Sequence, residues 1–308
     1  MFEGILGIKK PTFGLDIGYH TLKVCQVKGS GKQAHLVGAA EVAIPEGTLT
    51  KEGVKNKEKI GEIIRQAVRI AKPHGISAKI VSSALPESLV FTKSLDLPQM
   101  TIQEINKNIP YQATEFFPLP VEETYMDWQI VGENKTNTTV EVLVVAAPKI
   151  LVNSLNETIS SVGFELMGLE TKPSAVTRAL VASKDPGPYL LLDIGAKTSG
   201  LTCYDEQTIK LTSTAALGGD EIQKDFDNSL KSLSSEIIHL IKYYQNRVGK
   251  ASVFRKIILC GGGSNIEKVP QVIENLTKIK TELGQPQLNI KGYDPRFATA
   301  IGLAMKEL

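Results

Sequence analysis

The sequence contains little cysteine and no cluster of metal-binding side chains. Its three cysteines, among 308 residues, are widely spaced and lie in apolar, strand-like stretches: Cys25, Cys203 and Cys260. No Cys-x-x-Cys pair or His/Cys cluster has the ligand spacing of a zinc site. These absences argue against a disulfide framework and a structural zinc, and they predict buried, reduced thiols in a cytoplasmic protein.

An excess of one charge and a long apolar run are also missing. The net charge is only +2, so no electrostatic feature predicts binding to nucleic acid. No stretch approaches the roughly 20 apolar residues that span a bilayer. The short apolar N-terminus has its charge on the wrong side for a signal peptide. We therefore expect membrane association only through a partner, at the inner face of the cytoplasmic membrane.

The sequence does contain a weak internal duplication. The stretches 13–18 and 190–195 each read as a buried strand that ends in an Asp-x-Gly turn. A second apolar strand follows each turn, at 22–27 and 200–204, so each unit is predicted to be a β-hairpin. Helical patterns alternate with these strands. The pattern predicts an α/β protein of two related lobes, and the length suits two lobes of ordinary size.

The segment 87–162 differs from both lobes and is predicted to be a β-α-β-β-α insertion. Thr101 and Glu104 fit a capping box at the start of a helix. Pro110 is expected to kink or split that helix. Asn153 is expected to cap a second, short helix closed by Gly163. Two strands between these helices, 125–131 and 140–146, read as a hairpin.

The two Asp-x-Gly turns have the chemistry of phosphate-binding loops. A tight turn directs backbone N–H groups at anionic oxygens; Asp16 is placed to hold a hydrated Mg²⁺, and Lys23 to contact a phosphate. On its own, Asp-x-Gly is more often an ordinary Asp-capped turn. Two copies are a stronger signal, because facing hairpins can clamp a phosphate chain between lobes. Asp193 is the corresponding carboxylate in the second copy.

Glycine-rich segments complete the candidate site. Three glycines at 261–263 follow a strand and precede a helix, which allows a ring or phosphate to approach the backbone closely. A flexible turn, or a plain glycine-rich helix start at 218–219, is the alternative interpretation. The predicted phosphate and nucleotide contacts are Asp16, Gly18, Tyr19, His20, Thr21, Lys23, Asp193, Gly195, Ala196, Lys197, Thr198, Gly218, Gly219, Gly261, Gly262, Gly263, Ser264 and Asn265.

This ordered set resembles the actin/Hsp70/sugar-kinase ATPase superfamily. Residues 16–23 resemble its first phosphate loop, 192–198 the second, and 258–265 the adenosine motif. The segments 113–120, 146–149, 217–220 and 300–304 are similar to the PilM family of type IV pilus assembly proteins, a branch related to FtsA. The resemblance covers essentially the whole chain.

The resemblance implies an actin-like fold with four subdomains. Subdomain 1A is expected at 1–86, completed by 163–185 and a C-terminal helix at 296–308. The insertion 87–162 is expected to be subdomain 1C. The second lobe, 186–295, is expected to combine 2A with a short 2B at about 220–250. ATP is expected between the lobes, with Mg²⁺ held through water by Asp16 and Asp193.

The resemblance also implies a partner. Proteins of this family hold the N-terminal cytoplasmic tail of a PilN-like inner-membrane protein in a groove between 1A and 1C, and join that platform to motor ATPases. Phe116, Phe117 and Leu119 are candidate groove residues, although each suits the core of 1C better. Self-association stays open.

Two positions depart from the family pattern. His20 stands where relatives often have a small hydroxyl residue, and Lys172 where several have a glutamate near the metal-bound water. Glu170 is the remaining catalytic candidate, so weak or absent hydrolysis is expected, with ATP as a conformational ligand. The alternatives are an FtsA-like filament protein, disfavoured because no basic amphipathic helix follows 300–304, a sugar kinase, and a scaffold that has lost nucleotide binding.

Overall fold

The computed structural model describes residues 10–29, 33–50, 52–134, 138–248, 253–288, 290 and 293–306. Its strands are β1 (Thr12–Ile17), β2 (Thr21–Lys28), β3 (His35–Ala43), β4 (Leu49–Thr50), β5 (Gly53–Val54), β6 (Lys72–Pro73), β7 (Ile80–Leu85), β8 (Phe91–Pro98), β9 (Thr124–Asn134), β10 (Thr139–Pro148), β11 (Glu165–Thr171), β12 (Tyr189–Ile194), β13 (Ser199–Asp205), β14 (Thr208–Ala215), β15 (Lys256–Cys260) and β16 (Thr281–Leu283). Its helices are α1 (Lys57–Ile70), α2 (Ile102–Ala113), α3 (Lys149–Ser161), α4 (Lys172–Leu180), α5 (Gly219–Lys224), α6 (Phe226–Val248), α7 (Val269–Thr277) and α8 (Ala298–Ala304).

Two sheets with the same central arrangement form the two lobes. The first lobe has a six-stranded sheet in the order β11-β7-β1-β2-β3-β6, and the second a five-stranded sheet in the order β14-β13-β12-β15-β16. In each, an antiparallel hairpin (β1–β2 or β12–β13) has a parallel strand on its other side (β7 or β15). The predicted duplication and α/β class are confirmed.

The insertion has its own sheet and core. Strands β8, β10 and β9 form an antiparallel sheet in that order, and α2 buries Ile105 and Ile109 among their apolar side chains. The predicted capping box is confirmed, since the Thr101 hydroxyl accepts a hydrogen bond from the Glu104 N–H at 3.3 Å and the Glu104 carboxylate accepts one from the Thr101 N–H at 2.7 Å. Pro110 does not split α2, which continues to Ala113. The proline has no N–H to donate to the carbonyl four residues earlier, so it removes one helical hydrogen bond, and α2 ends one turn after it.

Helix α3 packs with the first lobe, although the sequence placed it in the 87–162 insertion. It begins at Lys149, so Asn153 lies inside the helix and the predicted cap at that position is wrong. Gly163 does follow the helix end, with a φ of 82° that glycine adopts without strain. The buried residues Leu155 and Ile159 belong to the same core as α1. The independent sheet and helix of the insertion therefore span 91–148.

Helices α4 and α8 pack against each other between the lobes, and α8 also packs against strand β1. A Cβ atom on Gly302 would overlap the backbone carbonyl of Ala175, and a Cβ on Gly14 would overlap that of Ala300. Glycine at these two positions lets the helices and the strand approach backbone to backbone. One apolar cluster joins this region to both sheets, and so fixes the positions of the two hairpins. In the part of the chain that the structure describes, no helix is both long and apolar enough to cross a membrane.

Candidate nucleotide-binding cleft

The turns of the two hairpins face each other across a cleft between the lobes, with a volume of ≈ 260 Å³. In the first turn the Gly18 N–H donates to the carbonyl of Thr21 at 2.9 Å; in the second, the Gly195 N–H donates to the carbonyl of Thr198 at 2.9 Å. The two loops predicted from the sequence therefore have the same backbone closure. They lie on opposite walls of one cleft.

Most of the predicted nucleotide contacts line this cleft. They are Asp16, Gly18, Tyr19, His20, Thr21, Lys23, Asp193, Gly195, Ala196, Thr198, Gly219, Gly261, Gly262 and Gly263. Four others have different positions. Gly218 packs so closely on Ala196 that a Cβ would overlap its carbonyl, and the Ser264 hydroxyl donates to the carbonyl of Gly261. Asn265 donates to Asp294, and Lys197 lies at the rim.

Asp16 and Asp193 lie in the same buried space but have opposite pKa shifts. Burial alone would raise the pKa of Asp16, but Lys172, with its Nζ 2.9 Å from Asp16 Oδ1, lowers it below the ordinary value, assisted by Lys23. Burial raises the pKa of Asp193, and the negative charge of Asp16 adds to this, although Lys172 opposes both. Burial favours the neutral amine of Lys172, yet Asp16 and Asp193 outweigh it and raise the pKa of Lys172.

Glu87 is a further acidic residue that lines the cleft, and it is not among the residues predicted from the sequence. Its carboxylate lies against Gly200 on the opposite lobe, where a Cβ would overlap it. Burial, and then the charge of Asp193, raise the pKa of Glu87 to about 8. Glu87 and Lys172 directly follow the carboxyl ends of β7 and β11, two strands that run parallel to each other. That edge is where ligands bind in open α/β sheets, so strand polarity could have identified both residues.

The rim of the cleft carries polar contacts between the lobes. His20 Nε2 lies 2.8 Å from Asp220 Oδ2. Lys197 Nζ lies 3.0 Å from the same oxygen and 3.6 Å from Glu46. The His20 contact, followed by that of Lys197, outweighs burial and lowers the pKa of Asp220. His20 and Lys197 thus contact the opposing lobe's side chains in this arrangement.

On the first-lobe wall, Lys23 is held in place by neighbours. Its Nζ donates to the Thr21 hydroxyl at 2.7 Å and lies 3.3 Å from Glu41. Glu41 also accepts from Arg296 at 2.7 Å. This network positions two cations beside the first turn.

The three glycines on the second-lobe wall differ in how much space surrounds them. A Cβ on Gly263 would overlap the Ile194 side chain, and Gly261 has a φ of 80°. A Cβ on Gly262 would meet no atom within 4 Å. Gly262 therefore presents bare backbone to the cleft, whereas its neighbours are fixed by the strand beneath them.

The structure does not bring Glu170 into the cleft. Its carboxylate receives two hydrogen bonds from the Arg178 guanidinium, at 2.8 and 2.6 Å. Arg178 also donates to the carbonyl of Gly302 at 2.7 Å. Residues of helices α4 and α8 thus hold the side chain that was predicted as a catalytic candidate.

A second, larger cavity of ≈ 800 Å³ lies between the insertion and both lobes. Phe116 and Phe117 line it, but Leu119 does not. Phe117 is mostly buried in the core of the insertion, whereas 44% of Phe116 is exposed, with Lys93 Nζ 5.0 Å from its ring centre. Other lining residues come from the insertion, from β11 and α3 of the first lobe and from β14 of the second: Phe91, Tyr125, Trp128, Val152, Leu169, Ile209 and Thr212.

The side chains of the first cleft do not fit the expected magnesium site. Mg²⁺ takes oxygen ligands in octahedral geometry, usually one or two carboxylates with phosphates and waters. Among the described residues, no group of three or more His, Cys, Asp or Glu side chains is arranged to hold a metal ion. Of the two predicted carboxylates, Asp16 already contacts an ammonium group.

Comparison with known proteins identifies the fold and the family. The chain is similar to a solved structure described as a PilM-PilN type IV pilus biogenesis complex, at 21% identity and a TM-score of 0.85, covering 97% of this chain and 99% of that one. It is also similar to the ethanolamine utilization protein EutJ of Carboxydothermus hydrogenoformans (13% identity, 96% and 90% covered, TM-score 0.55) and to MreB5 of Spiroplasma citri bound to AMPPNP (12% identity, 96% and 95% covered, TM-score 0.51). The expected actin-like fold is confirmed. Residues 14–231 match the family "Type IV pilus assembly protein PilM", and the chain belongs to that family.

Proposed function

We propose that the protein is an adaptor of a type IV pilus-type assembly platform, which binds ATP between its lobes and a membrane-anchored partner beside its insertion. It acts at the cytoplasmic face of the inner membrane and reaches the membrane through that partner. The observation that supports ATP binding is the pair of hairpin turns on opposite walls of one cleft. Each turn is closed by the same type of hydrogen bond. Nucleotide then favours one arrangement of the lobes, as any ligand does that contacts both.

The walls of the cleft support a triphosphate with an attached base. The turns provide backbone N–H groups at the two hairpins, and Lys23 and Lys172 provide positive charge beside Asp16. Gly262 leaves space for a flat ring at the backbone. MreB5 of Spiroplasma citri, which shares the fold, was solved with AMPPNP. Hydrogen bonds to charged groups contribute roughly 1.5–3 kcal/mol each, so a few suffice for micromolar binding.

Weak or absent hydrolysis is part of the proposal. Glu170 is engaged by Arg178 outside the cleft, and the residue at the start of α4 is a lysine. Neither can activate a water molecule as a carboxylate base would. ATP is thus proposed as a conformational ligand.

Thermal unfolding with and without ATP tests the nucleotide site. Gly262→Leu places an apolar side chain on a residue that lines the cleft, at a position where a Cβ meets no atom within 4 Å. Wild type should gain about 2.7 kcal/mol at an ATP concentration of 100 times Kd, and Gly262→Leu should gain nothing. The control Ala182→Leu changes an exposed residue outside the cleft and should keep the gain. An equal gain in Gly262→Leu, or none in wild type, would contradict the proposal.

The second cavity supports the proposed binding of a membrane-anchored partner. Its size and its aromatic lining from the insertion suit an extended peptide with apolar side chains. The fold relative was solved as a PilM-PilN complex. We propose that the occupant is the N-terminal cytoplasmic tail of a PilN-like inner-membrane protein, with Phe116 as the exposed contact. Contact with motor ATPases and self-association remain predictions from the family resemblance.

Fluorescence anisotropy with a labelled peptide of that tail tests the partner site. Phe116→Glu places a charge in the cavity, and binding should weaken at least tenfold, about 1.4 kcal/mol. Ile102→Glu is the matched control, since Ile102 is an exposed apolar residue of the same insertion that does not line the cavity. Equal binding by Phe116→Glu and wild type would exclude this cavity as the site.

A further inference from the structure

The first residue of α4 directs a positive charge at the paired hairpin carboxylates. Lys172 lines the cleft, and its side chain is only 19% exposed. Its Nζ lies 2.9 Å from Asp16 Oδ1, and Asp193 and Glu87 are near enough to favour its charged form. Burial opposes that charge, but the carboxylates outweigh burial. The ammonium group is thus a fixed cation at the centre of the site.

The same space is where a divalent cation would have to sit. A metal shared by the two turns must contact Asp16 or Asp193 directly or through water. Asp16 is engaged by Lys172, and a dication placed beside that carboxylate would lie within a few ångströms of an ammonium group of the same sign. Two cations at one carboxylate repel strongly in a water-poor site.

We propose that the Lys172 ammonium takes the place of the divalent cation, so that this protein binds its nucleotide without a metal ion. The lysine neutralises Asp16 and faces the phosphate chain from the floor of the cleft, with Lys23 as a second cation on the first-lobe wall. The inference rests on the proposed nucleotide site and specifies which cation lies beside the phosphates there. It concerns nucleotide binding and not hydrolysis.

Isothermal titration calorimetry of ATP, in EDTA and in millimolar Mg²⁺, tests the inference on the wild-type chain. ATP should bind more tightly in EDTA than in millimolar Mg²⁺, because Mg²⁺ converts most of the ATP into a complex whose metal ion the Lys172 ammonium repels. Equal binding in the two conditions, or tighter binding with Mg²⁺, would overturn the inference while leaving the nucleotide site intact. Absence of binding in both conditions would overturn the nucleotide site itself, and the inference with it.

Two variants separate the role of the ammonium group from that of the fold. Lys172→Gln should weaken binding in EDTA at least tenfold, because the amide cannot balance the phosphates, and Mg²⁺ should then restore part of the affinity. Lys280→Gln, which removes an exposed lysine far from the cleft, should bind as wild type does. Equal binding in EDTA by Lys172→Gln and wild type would refute the assignment.

A spectroscopic readout on the wild-type chain does not depend on any variant folding. In electron paramagnetic resonance, Mn²⁺ should keep the spectrum of the free aquo ion when nucleotide-free protein is added. When ATP is present, which itself binds Mn²⁺ and removes part of that signal, adding the protein should remove no more of it. A loss of the free-ion signal on addition of the protein alone would show a metal site and contradict the proposal.

Discussion

The two hairpin turns have the same backbone but different electrostatic surroundings. Each closes with an N–H to carbonyl hydrogen bond of 2.9 Å, and each brings an aspartate into the cleft. Lys172 lies against Asp16, so the pKa of Asp16 falls in spite of its burial, whereas burial raises the pKa of Asp193. The duplicated sequence therefore defines the turns, and a single residue of α4 makes them unequal.

The same sequence motif can therefore produce the same turn twice while its carboxylates differ in pKa. The Asp-x-Gly pattern is the same in both lobes and correctly predicts two turns. The charge on each carboxylate depends on its burial and on residues from other elements, here Lys172 at the start of α4. Corresponding substitutions in the two turns should therefore change the stability of the protein differently.

The largest expected effect is loss of the Asp16 charge. Asp16→Asn leaves the Lys172 ammonium without its nearest partner, and removing one member of a buried ion pair costs about 3 kcal/mol or more. Chemical denaturation should show this loss at pH 7. The double variant Asp16→Asn/Lys172→Met should recover much of the stability, since no buried charge is then unpaired at that turn. If the changes in unfolding free energy of the two single variants add up in the double variant, the two side chains are not coupled.

The next effect concerns the pH dependence of stability and is expected from Glu87. Its pKa of about 8 in the folded protein exceeds the ordinary 4.5, so the folded state holds a proton that the unfolded state releases. Stability should fall as pH rises from about 4.5 to 8, by up to about 1.4 kcal/mol per pH unit. Glu87→Gln should remove this slope relative to wild type. Parallel stability curves for the two proteins across that range would contradict the assigned pKa.

Asp193→Asn should change stability in the opposite direction from Asp16→Asn. The pKa of Asp193 is raised in the folded state, so its ionisation opposes folding once pH exceeds the ordinary value of 3.8. Removing the charge should stabilise the protein at pH 7, and the gain should disappear below pH 3.8. Thermal unfolding at neutral and acidic pH measures both. A destabilised Asp193→Asn at neutral pH would show that the two turns are electrostatically alike.

The smallest effect is expected at the rim. His20→Ala removes the contact with Asp220, which is partly exposed to solvent, and such pairs typically contribute below about 1 kcal/mol. Stability without nucleotide should therefore change little. Thermal unfolding of the nucleotide-free variant measures this, and a loss as large as that of Asp16→Asn would place the rim contact among the main supports of the lobe arrangement.

Local patterns predicted much of the fold, but not how distant elements meet. Both hairpins and the capping box at Thr101 follow from residue patterns, and the C-terminal helix follows from the family resemblance. The start of α3 was missed because Pro148, at its N-cap position, has no capping side chain and Asn153 resembles a cap. Glu87 and Lys172 were not selected as site residues because their neighbours in the cleft are far away in sequence. Glu170 was misleading because its carboxylate accepts hydrogen bonds from Arg178, which also donates to the carbonyl of Gly302.

A crystal structure of the protein grown with ATP tests the central claim most directly. The account predicts a triphosphate between the Gly18–Thr21 and Gly195–Thr198 turns, with the base beside Gly262 and the Lys172 ammonium next to the phosphates. An empty cleft at saturating ATP, or a nucleotide bound elsewhere on the chain, would contradict it.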